Sequence, residues 1–370
     1  MVDLNTQYKN IKTEIDHAIQ EVIASSAFIN GPHVKQFQQH LADYLGTKHV
    51  IPCANGTDAL QIALMALELK PGDEVITPDF TFISTVEVIK LLGLKPVLVD
   101  VDETTFNISI DGIEQAMTDK TRAIVPVHLF GQCANMDEIM KLAKVNHIHV
   151  IEDVAQALGS NYYYQDKTVK AGTIGDIGCT SFFPSKNLGC YGDGGALFTD
   201  NEKLADKIKA IANHGSHKKY YHDRVGVNSR LDTLQAAILD IKLKYLDKYN
   251  HARQEAASYY DKELLGVEYL RIPERNVFSS HIFHQYTLVL SEEINREAFK
   301  EYLKEKGVPS MVYYPVPIHL QGAFKEFGYS KGDFPVSEKL AESVLSLPMH
   351  TELTKEQLEK ITETIKSYFN

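Results

Sequence analysis

Short apolar runs alternate with segments of helical patterning from residue 50 to residue 198, and this alternation constrains the fold more than any other feature. The intervening segments Thr57–Leu67, Phe82–Leu92 and Asp137–Ala143 carry apolar residues at helical spacing. Parallel strands need such crossovers, so the pattern predicts an α/β fold with a mostly parallel, seven-stranded sheet covered on both faces. The runs are Val50-Ile51, Glu74–Thr77, Pro96–Val99, Ala123–Val127, His149–Glu152, Thr180–Phe183 and Ala196–Phe198.

The remaining parts of the chain predict an N-terminal helix and a second, smaller domain. A helix is expected over Tyr8–Ala24, and a long helical stretch runs from Leu234 to Leu264. An α+β segment follows, with a strand at Gln285–Leu290 and helices at Arg296–Lys306 and Ser337–Val344. We predict a boundary near Asn250, which separates a large α/β domain (1–250) from a small C-terminal α+β domain (251–370).

Composition argues against several classes of protein. The chain has 370 residues and a formal charge of −11, so it offers no basic surface for nucleic acid. Neither a signal peptide nor an uninterrupted membrane-spanning run is evident, and we expect no membrane association and a cytoplasmic location. The four cysteines, Cys53, Cys133, Cys179 and Cys190, form no CxxC pair and fit free thiols in a reducing compartment. A polar loop contains His214, His217 and His222 with Asp223, and its polarity favours a solvated loop over a metal site.

The stretch Thr180–Gly195 contains a single lysine, Lys186, in a bend between two predicted strands. Pro184 breaks the first strand, and glycines from Gly189 to Gly195 precede the second. An exposed loop lysine is one interpretation. The other is an amine in a desolvated pocket, whose lowered pKa would let it attack a carbonyl group.

Three further features follow the predicted strands, at the edge where parallel sheets bind ligands. Gly56 and Thr57 open an apolar helix whose N-terminus could hold a phosphate, although a plain N-cap at Asn55 or Thr57 would explain them too. Asp153 could pair with the protonated ring nitrogen of a pyridoxal cofactor, or could cap the next helix. Phe82 could stack on a flat ring, or could be core.

The four features together indicate a pyridoxal-phosphate site more specifically than any one does. A dinucleotide or P-loop site fits less well, because Gly189–Gly195 contains no GxGxxG after a first strand and the chain has no GKS or GKT. A serine-hydrolase interpretation lacks the GxSxG motif.

The sequence closely resembles the DegT/DnrJ/EryC1/StrS family of pyridoxal-phosphate-dependent nucleotide-sugar aminotransferases, nearly from end to end. It is most similar to the aminotransferases that act on UDP-2-acetamido-2-deoxy-3-oxo-glucuronate. The resemblance implies a fold-type I (aspartate aminotransferase-like) architecture. The matching segments are Gly31-Pro32, Asn55–Leu60, Glu152-Asp153 with Ala155-Gln156, Ser181–Lys186, Gly192–Gly195, Arg224–Leu231, Tyr314-Pro315 and Leu347-Pro348.

The resemblance also implies a role for individual residues. Lys186 falls on the family's catalytic Schiff-base lysine and Asp153 on the partner of the pyridine nitrogen. Gln156 would contact the ring hydroxyl side of the cofactor, and Phe82 would stack on its ring. The phosphate would be held by Gly56, Thr57 and Ser181, and by Asn228 of the neighbouring subunit, which implies a homodimer with shared active sites. The sugar nucleotide would meet Arg230, Tyr313 and Tyr314.

The implied reaction moves an amino group from L-glutamate to a nucleotide-linked keto sugar through pyridoxal 5′-phosphate and pyridoxamine phosphate. The first expectation is UDP-3-keto-N-acetylglucosaminuronate, in the biosynthesis of a surface glycan such as the lipopolysaccharide O-antigen. Because Tyr313 stands where close uronate-specific relatives carry histidine, a 3-keto or 4-keto 6-deoxyhexose on dTDP or UDP is the alternative. Relatives that act as dehydratases replace the lysine by histidine, and a non-catalytic regulatory role would predict loss of Lys186 or Asp153; both are present.

Overall fold

The computed structural model describes residues 1–369, which form thirteen α-helices and twelve strands. The helices are α1 (Leu4–Asn10), α2 (Lys12–Ser25), α3 (Pro32–Leu45), α4 (Gly56–Ala66), α5 (Ser84–Leu91), α6 (Ile110–Ala116), α7 (Met136–Asn146), α8 (Glu202–Ala212), α9 (Thr233–Leu243), α10 (Leu246–Leu264), α11 (Arg296–Glu305), α12 (Pro335–Ser343) and α13 (Lys355–Phe369). The strands are β1 (His49–Cys53), β2 (Glu74–Pro78), β3 (Lys95–Val99), β4 (Thr121–Ile124), β5 (His149–Asp153), β6 (Asn161–Tyr164), β7 (Lys167–Lys170), β8 (Ile177–Ser181), β9 (Gly195–Thr199), β10 (Leu270–Arg271), β11 (Tyr286–Leu290) and β12 (Val344–Leu347). Within these residues, no helix has both the length and the apolar character that a bilayer crossing requires.

A seven-stranded sheet in the order β1-β9-β8-β5-β4-β2-β3 forms the centre of the molecule, which confirms the predicted fold class. Strand β9 is antiparallel to both of its neighbours, and the other adjacent pairs are parallel. All residues of β2 and β9 are buried, as expected for strands with helices on both faces. The carboxyl ends of the six parallel strands therefore lie at one edge, together with the amino end of β9.

A second, antiparallel sheet of β10, β11 and β12 carries its own core. Side chains of α10, α11 and α13 pack against it, including Tyr260, Phe299 and Ile365. Helix α10 passes through the predicted boundary at Asn250: Leu246 packs in the core of the large sheet and Ala256 in that of the small sheet. The division into residues 1–250 and 251–370 stays a prediction.

Several element ends differ from the sequence-based expectation. The N-terminal helix is interrupted at Ile11, whose φ and ψ of −123° and 18° are not helical. Strand β8 ends at Ser181, two residues before the predicted end at Phe183, although the Phe182 backbone N–H still donates to the Gly194 carbonyl. Val344 begins β12 instead of ending a helix, and α13 was not predicted.

Candidate active site

A cavity of about 460 Å³ lies at the carboxyl edge of the central sheet, within the size range of small-molecule sites. It collects residues from the ends of β1, β5 and β8 and from segments before β11 and before α12. Nine of the predicted site residues line it: Gly56, Thr57, Phe82, Asp153, Gln156, Ser181, Lys186, Tyr313 and Tyr314. Two do not, Asn228 and Arg230.

Lys186 lies in a tight loop between β8 and β9 and faces the cavity. Its backbone N–H donates to the Phe183 carbonyl at 2.8 Å, and Gly189 packs so closely that a Cβ there would lie 2.3 Å from the Pro184 carbonyl oxygen. Burial lowers the pKa of Lys186 to about 8, and the charge of Asp153 partly opposes this. Lys186 is therefore not a solvated loop lysine but an amine that is partly neutral near physiological pH.

Asp153 closes β5 and is 5% exposed. The Thr85 hydroxyl donates to its Oδ2 at 3.0 Å and the Ala155 backbone N–H to its Oδ1 at 3.1 Å. Burial raises the pKa of Asp153, and the Ala155 N–H, the charge of Lys186 and the Thr85 hydroxyl act in the opposite direction. Residues 154–160 form turns instead of a helix, so Asp153 is not a helix cap. A carboxylate in such a place needs a cationic partner.

The start of α4 forms a cradle beside Ser181. The N-cap is Asn55, whose side chain accepts from the Asp58 backbone N–H at 2.8 Å, as one of the two sequence interpretations predicted. Gly56 and Thr57 occupy the first turn, where backbone N–H groups have no intrahelical acceptor and the helix dipole favours an anion. A Cβ at Gly56 would lie 2.6 Å from Ser181 Cβ, so only glycine permits this approach.

Phe82, Tyr314 and Gln156 form one wall of the cavity. Phe82 is 53% exposed, so it is not a core residue, and its ring centroid lies 6.2 Å from that of Tyr314. The Gln156 Oε1 accepts from the Phe130 backbone N–H at 2.8 Å, and its Nε2 donates to the Tyr314 hydroxyl at 3.0 Å. The Gln156 amide is thereby held in one orientation, with a second N–H of Nε2 left to donate.

The cavity also contains polar groups that were not predicted. The hydroxyls of Thr81 and Thr180 are buried and have no hydrogen-bond partner within residues 1–369. His284 lines the cavity as well, from a segment far away in sequence. Thr180 could have been found as the neighbour of Ser181 at the end of a strand, whereas no sequence pattern marks His284. Two unpartnered hydroxyls, an amine of lowered pKa, a buried carboxylate and an anion cradle fit a phosphorylated, polar, ring-shaped cofactor.

Asn228 and Arg230 belong to a surface segment outside the cavity. The intervening Ser229 is anchored, since its Oγ accepts from the Ala54 backbone N–H at 3.0 Å. Asn228 is exposed, Arg230 is half-buried, and the nearby Val225 is 84% exposed. Among the residues that line the cavity, Lys186 is the only lysine or arginine.

Similarity to curated proteins extends along nearly the whole chain. The chain is 45% identical to the "Pleiotropic regulatory protein" of Geobacillus stearothermophilus, over 100% of this chain and 98% of that one. It is 47% identical to the UDP-2-acetamido-2-deoxy-3-oxo-D-glucuronate aminotransferase of Pseudomonas aeruginosa, over 94% of each chain. It is 44% identical to a UDP-N-acetyl-3-dehydro-alpha-D-glucosamine 3-aminotransferase of Acidithiobacillus ferrooxidans, over 99% and 96%.

Solved structures match the fold described above. DesV of S. venezuelae, in complex with a ketimine intermediate, superposes with a TM-score of 0.95 at 35% identity, over 100% of this chain and 98% of that one. NtdA of Bacillus subtilis, with the bound cofactor PMP, superposes with a TM-score of 0.90 at 34% identity, over 97% and 82%. The profile of the DegT/DnrJ/EryC1/StrS aminotransferase family matches residues 9–366, and the chain belongs to this family.

Proposed function

We propose that the protein is a pyridoxal-phosphate-dependent aminotransferase that moves an amino group from L-glutamate to a nucleotide-linked keto sugar. The observation that carries the proposal is the pair formed by a partly neutral Lys186 and a buried Asp153 in one cavity. The family membership and the PMP-bound NtdA structure support the cofactor.

Each residue has a stated task in this proposal. When bound, pyridoxal phosphate supplies a covalent attachment for amines and an electron sink for the bond that loses a proton. Lys186 would attach to it and, once released by the incoming amino acid, would carry a proton from the α-carbon to the C4′ carbon of the cofactor. Asp153 would keep the ring nitrogen protonated, because an unpaired buried carboxylate favours a cationic neighbour.

The remaining predicted residues would hold the cofactor in place. Gly56 and Thr57, at the start of α4, and Ser181 beside them would bind its phosphate. Gln156 would donate its free N–H to the ring hydroxyl, and Phe82 would stack on the ring.

The acceptor sugar is proposed to be UDP-3-keto-N-acetylglucosaminuronate, which would place the reaction in surface-glycan biosynthesis, for example of a lipopolysaccharide O-antigen. The P. aeruginosa relative acts on that uronate, and the A. ferrooxidans relative acts on an uncharged 3-dehydro sugar. A 40% identical relative from Aneurinibacillus thermoaerophilus is a dTDP-3-amino-3,6-dideoxy-galactopyranose transaminase, which supports a 6-deoxyhexose as the alternative. The first two names give a keto group at carbon 3 of the sugar, and the third gives an amino group at that carbon.

An absorbance spectrum before and after addition of L-glutamate tests this function. We expect a visible band from the lysine-bound cofactor that disappears while a near-ultraviolet band grows. The glutamate-treated protein is then titrated with a 3-keto UDP-uronate, the matching uncharged 3-keto UDP-sugar and a dTDP-linked keto-6-deoxyhexose; the true acceptor restores the visible band. A protein that shows no visible band after incubation with pyridoxal phosphate contradicts the proposal.

A homodimer with shared sites is also proposed, because the cavity of one chain holds a single cation while a phosphate and a substrate carboxylate both need partners. Asn228 and Arg230 of a second copy would supply them, and exposed Tyr220 and Val225 nearby offer apolar area for an interface. Mixing Lys186→Ala with Arg230→Ala protomers, each inactive alone, should restore activity, since one mixed site keeps both residues. No recovery after subunit exchange contradicts shared sites.

A regulatory function is the second candidate, because the G. stearothermophilus relative carries that name at 45% identity. The same spectrum separates the two candidates: a protein that binds pyridoxal phosphate but never responds to glutamate would favour regulation. A cytoplasmic location, where the four buried thiols would stay reduced, is part of the proposal.

A further inference from the structure

A chain of buried amides runs from the core to the residue that follows Lys186. The Asn250 Nδ2 donates to the Leu158 carbonyl at 3.5 Å, which leaves the Asn250 Oδ1 as an acceptor. The Asn187 Nδ2 donates to that Oδ1 at 2.7 Å and to the Ile282 carbonyl at 3.3 Å. Both contacts require the nitrogen of Asn187 on this side, so the Asn187 Oδ1 points the other way and can only accept.

The acceptor at Asn187 determines the tautomer of His284. The His284 Nδ1 lies 3.2 Å from the Asn187 Oδ1, so it must carry the hydrogen of this bond. In the neutral ring the other nitrogen, Nε2, is then an acceptor. No group within residues 1–369 donates a hydrogen bond to Nε2. This atom is not fully buried either, and because His284 lines the cavity, we infer that Nε2 opens onto the cavity.

The environment of His284 keeps its ring neutral. The side chain is 6% exposed, and burial holds its pKa well below the usual range. The positive charges of Lys186 and Arg253 lower it further. Nε2 is thus a hydrogen-bond acceptor that does not take up a proton of its own near neutral pH.

We propose that His284 is a positioning residue for Lys186: its Nε2 accepts a hydrogen bond from the lysine amine after that amine leaves the cofactor. The inference rests on the proposed function. Lys186 must hold a proton between its pick-up at the α-carbon and its delivery at C4′, and Asp153 is engaged by the ring nitrogen in that scheme. An acceptor that cannot itself be protonated orients the amine and leaves the proton on it.

Two substitutions at His284 separate this role from a merely structural one. His284→Asn keeps a donor near the position of Nδ1 for Asn187 but removes the cavity acceptor. His284→Gln places an amide near the position of Nε2 but loses the contact with Asn187. We expect Asn to slow the glutamate half-reaction by roughly tenfold to a hundredfold with little change in KM, and Gln to recover much of the rate. A wild-type rate in His284→Asn, or a Gln variant slower than Asn, overturns the proposal.

A second measurement needs neither variant to be active. Nitrogen-15 NMR of the full wild-type chain without cofactor, assigned by the resonance missing in His284→Gln, should show a neutral ring with hydrogen on Nδ1 throughout about pH 5 to 8. Hydrogen on Nε2, or a protonated ring, overturns the proposal even if aminotransfer is confirmed. If the absorbance spectrum of the wild-type protein does not change when glutamate is added, the proposed function itself is contradicted. The two failures are therefore distinguished by different measurements.

Discussion

Lys186 and Lys242 lie on the two sides of one loop, the first half-buried and the second buried, and desolvation lowers the pKa of each to about 8. Lys242 is 1% exposed, donates to the Gly189 carbonyl and lies 5.2 Å from the ring centroid of Tyr191. Lys186 opens onto a cavity instead, with the charge of Asp153 acting on it. A lowered pKa is common to both, so it does not by itself mark a catalytic group.

What distinguishes the two lysines is the state of the polar groups around them. The ammonium group of Lys242 is used to hold the loop that carries Lys186, and no substrate can reach it. Around Lys186, by contrast, the hydroxyls of Thr81 and Thr180 lack partners within the described residues, and the carboxylate of Asp153 lacks a full counter-charge. Unpartnered polar groups therefore mark the surroundings of Lys186, and not those of Lys242, as the candidate ligand-binding site.

The sharpest way to test the comparison is to remove each lysine in turn. Lys186→Ala should retain the fold and bind pyridoxal phosphate without a covalent bond, while multiple turnover falls below about one thousandth of wild type, because no other group shuttles the proton. Lys242→Met, the matched control, should still lose its visible band on glutamate addition. Multiple turnover of Lys186→Ala above about one thousandth of the wild-type rate contradicts the role of Lys186.

Asp153→Asn tests the carboxylate that distinguishes Lys186 from Lys242. An amide cannot hold the ring nitrogen in its protonated form, so we expect the glutamate half-reaction to slow by roughly a hundredfold or more. Stopped-flow absorbance measures this rate. Thr85→Val is the control: it removes one donor to Asp153 but keeps the carboxylate, and should slow the reaction far less. Equal effects of the two substitutions would assign the loss to packing.

Lys242 should be visible in the pH dependence of stability. Its pKa of about 8 in the folded chain is below the value of 10.5 expected in the unfolded chain. Between these two pH values the unfolded chain binds more protons, so the free energy of unfolding increases as the pH rises. The free energy of unfolding of wild type minus that of Lys242→Met should therefore rise by about 1.4 kcal/mol per pH unit in this window. Urea unfolding of both proteins at several pH values measures the difference. A constant difference would mean that Lys242 is not buried as described.

The smallest expected effect concerns the unpartnered hydroxyl of Thr180. Thr180→Val removes no hydrogen bond of the chain itself, so the unfolding free energy of the cofactor-free protein should not fall. Affinity for pyridoxal phosphate should decrease by up to about tenfold, as expected for one hydrogen bond. Titration of the apoprotein with pyridoxal phosphate measures the affinity. Lower stability with unchanged affinity would show that the hydroxyl serves the fold and not the ligand.

The sequence predicted the central sheet well because strand and helix periodicities are local. It could not decide which polar groups cap and which face the cavity. From the sequence, Asn55 and Thr57 were equivalent N-cap candidates; in the structure the Asn55 side chain accepts the hydrogen bond of the Asp58 backbone N–H. Phe82 could have been core, but it is 53% exposed, and the ring nearest to it in the cavity wall, that of Tyr314, is more than two hundred residues away in sequence. The end of β8 at Ser181, two residues before the predicted end at Phe183, is a further detail that the strand propensities of Phe182 and Phe183 do not encode.

By itself, then, the sequence predicted the α/β fold class from its periodicity and the family from its motifs, and it marked Lys186 and Asp153 as candidate site residues. The tertiary structure alone decided that Lys186 and not Lys242 faces a cavity, that Asn228 and Arg230 lie outside it, and that His284 joins it. These outcomes depend on burial and on the meeting of distant segments. Local patterns carry no information on either, because desolvation and hydrogen-bond partners exist only once the chain is packed.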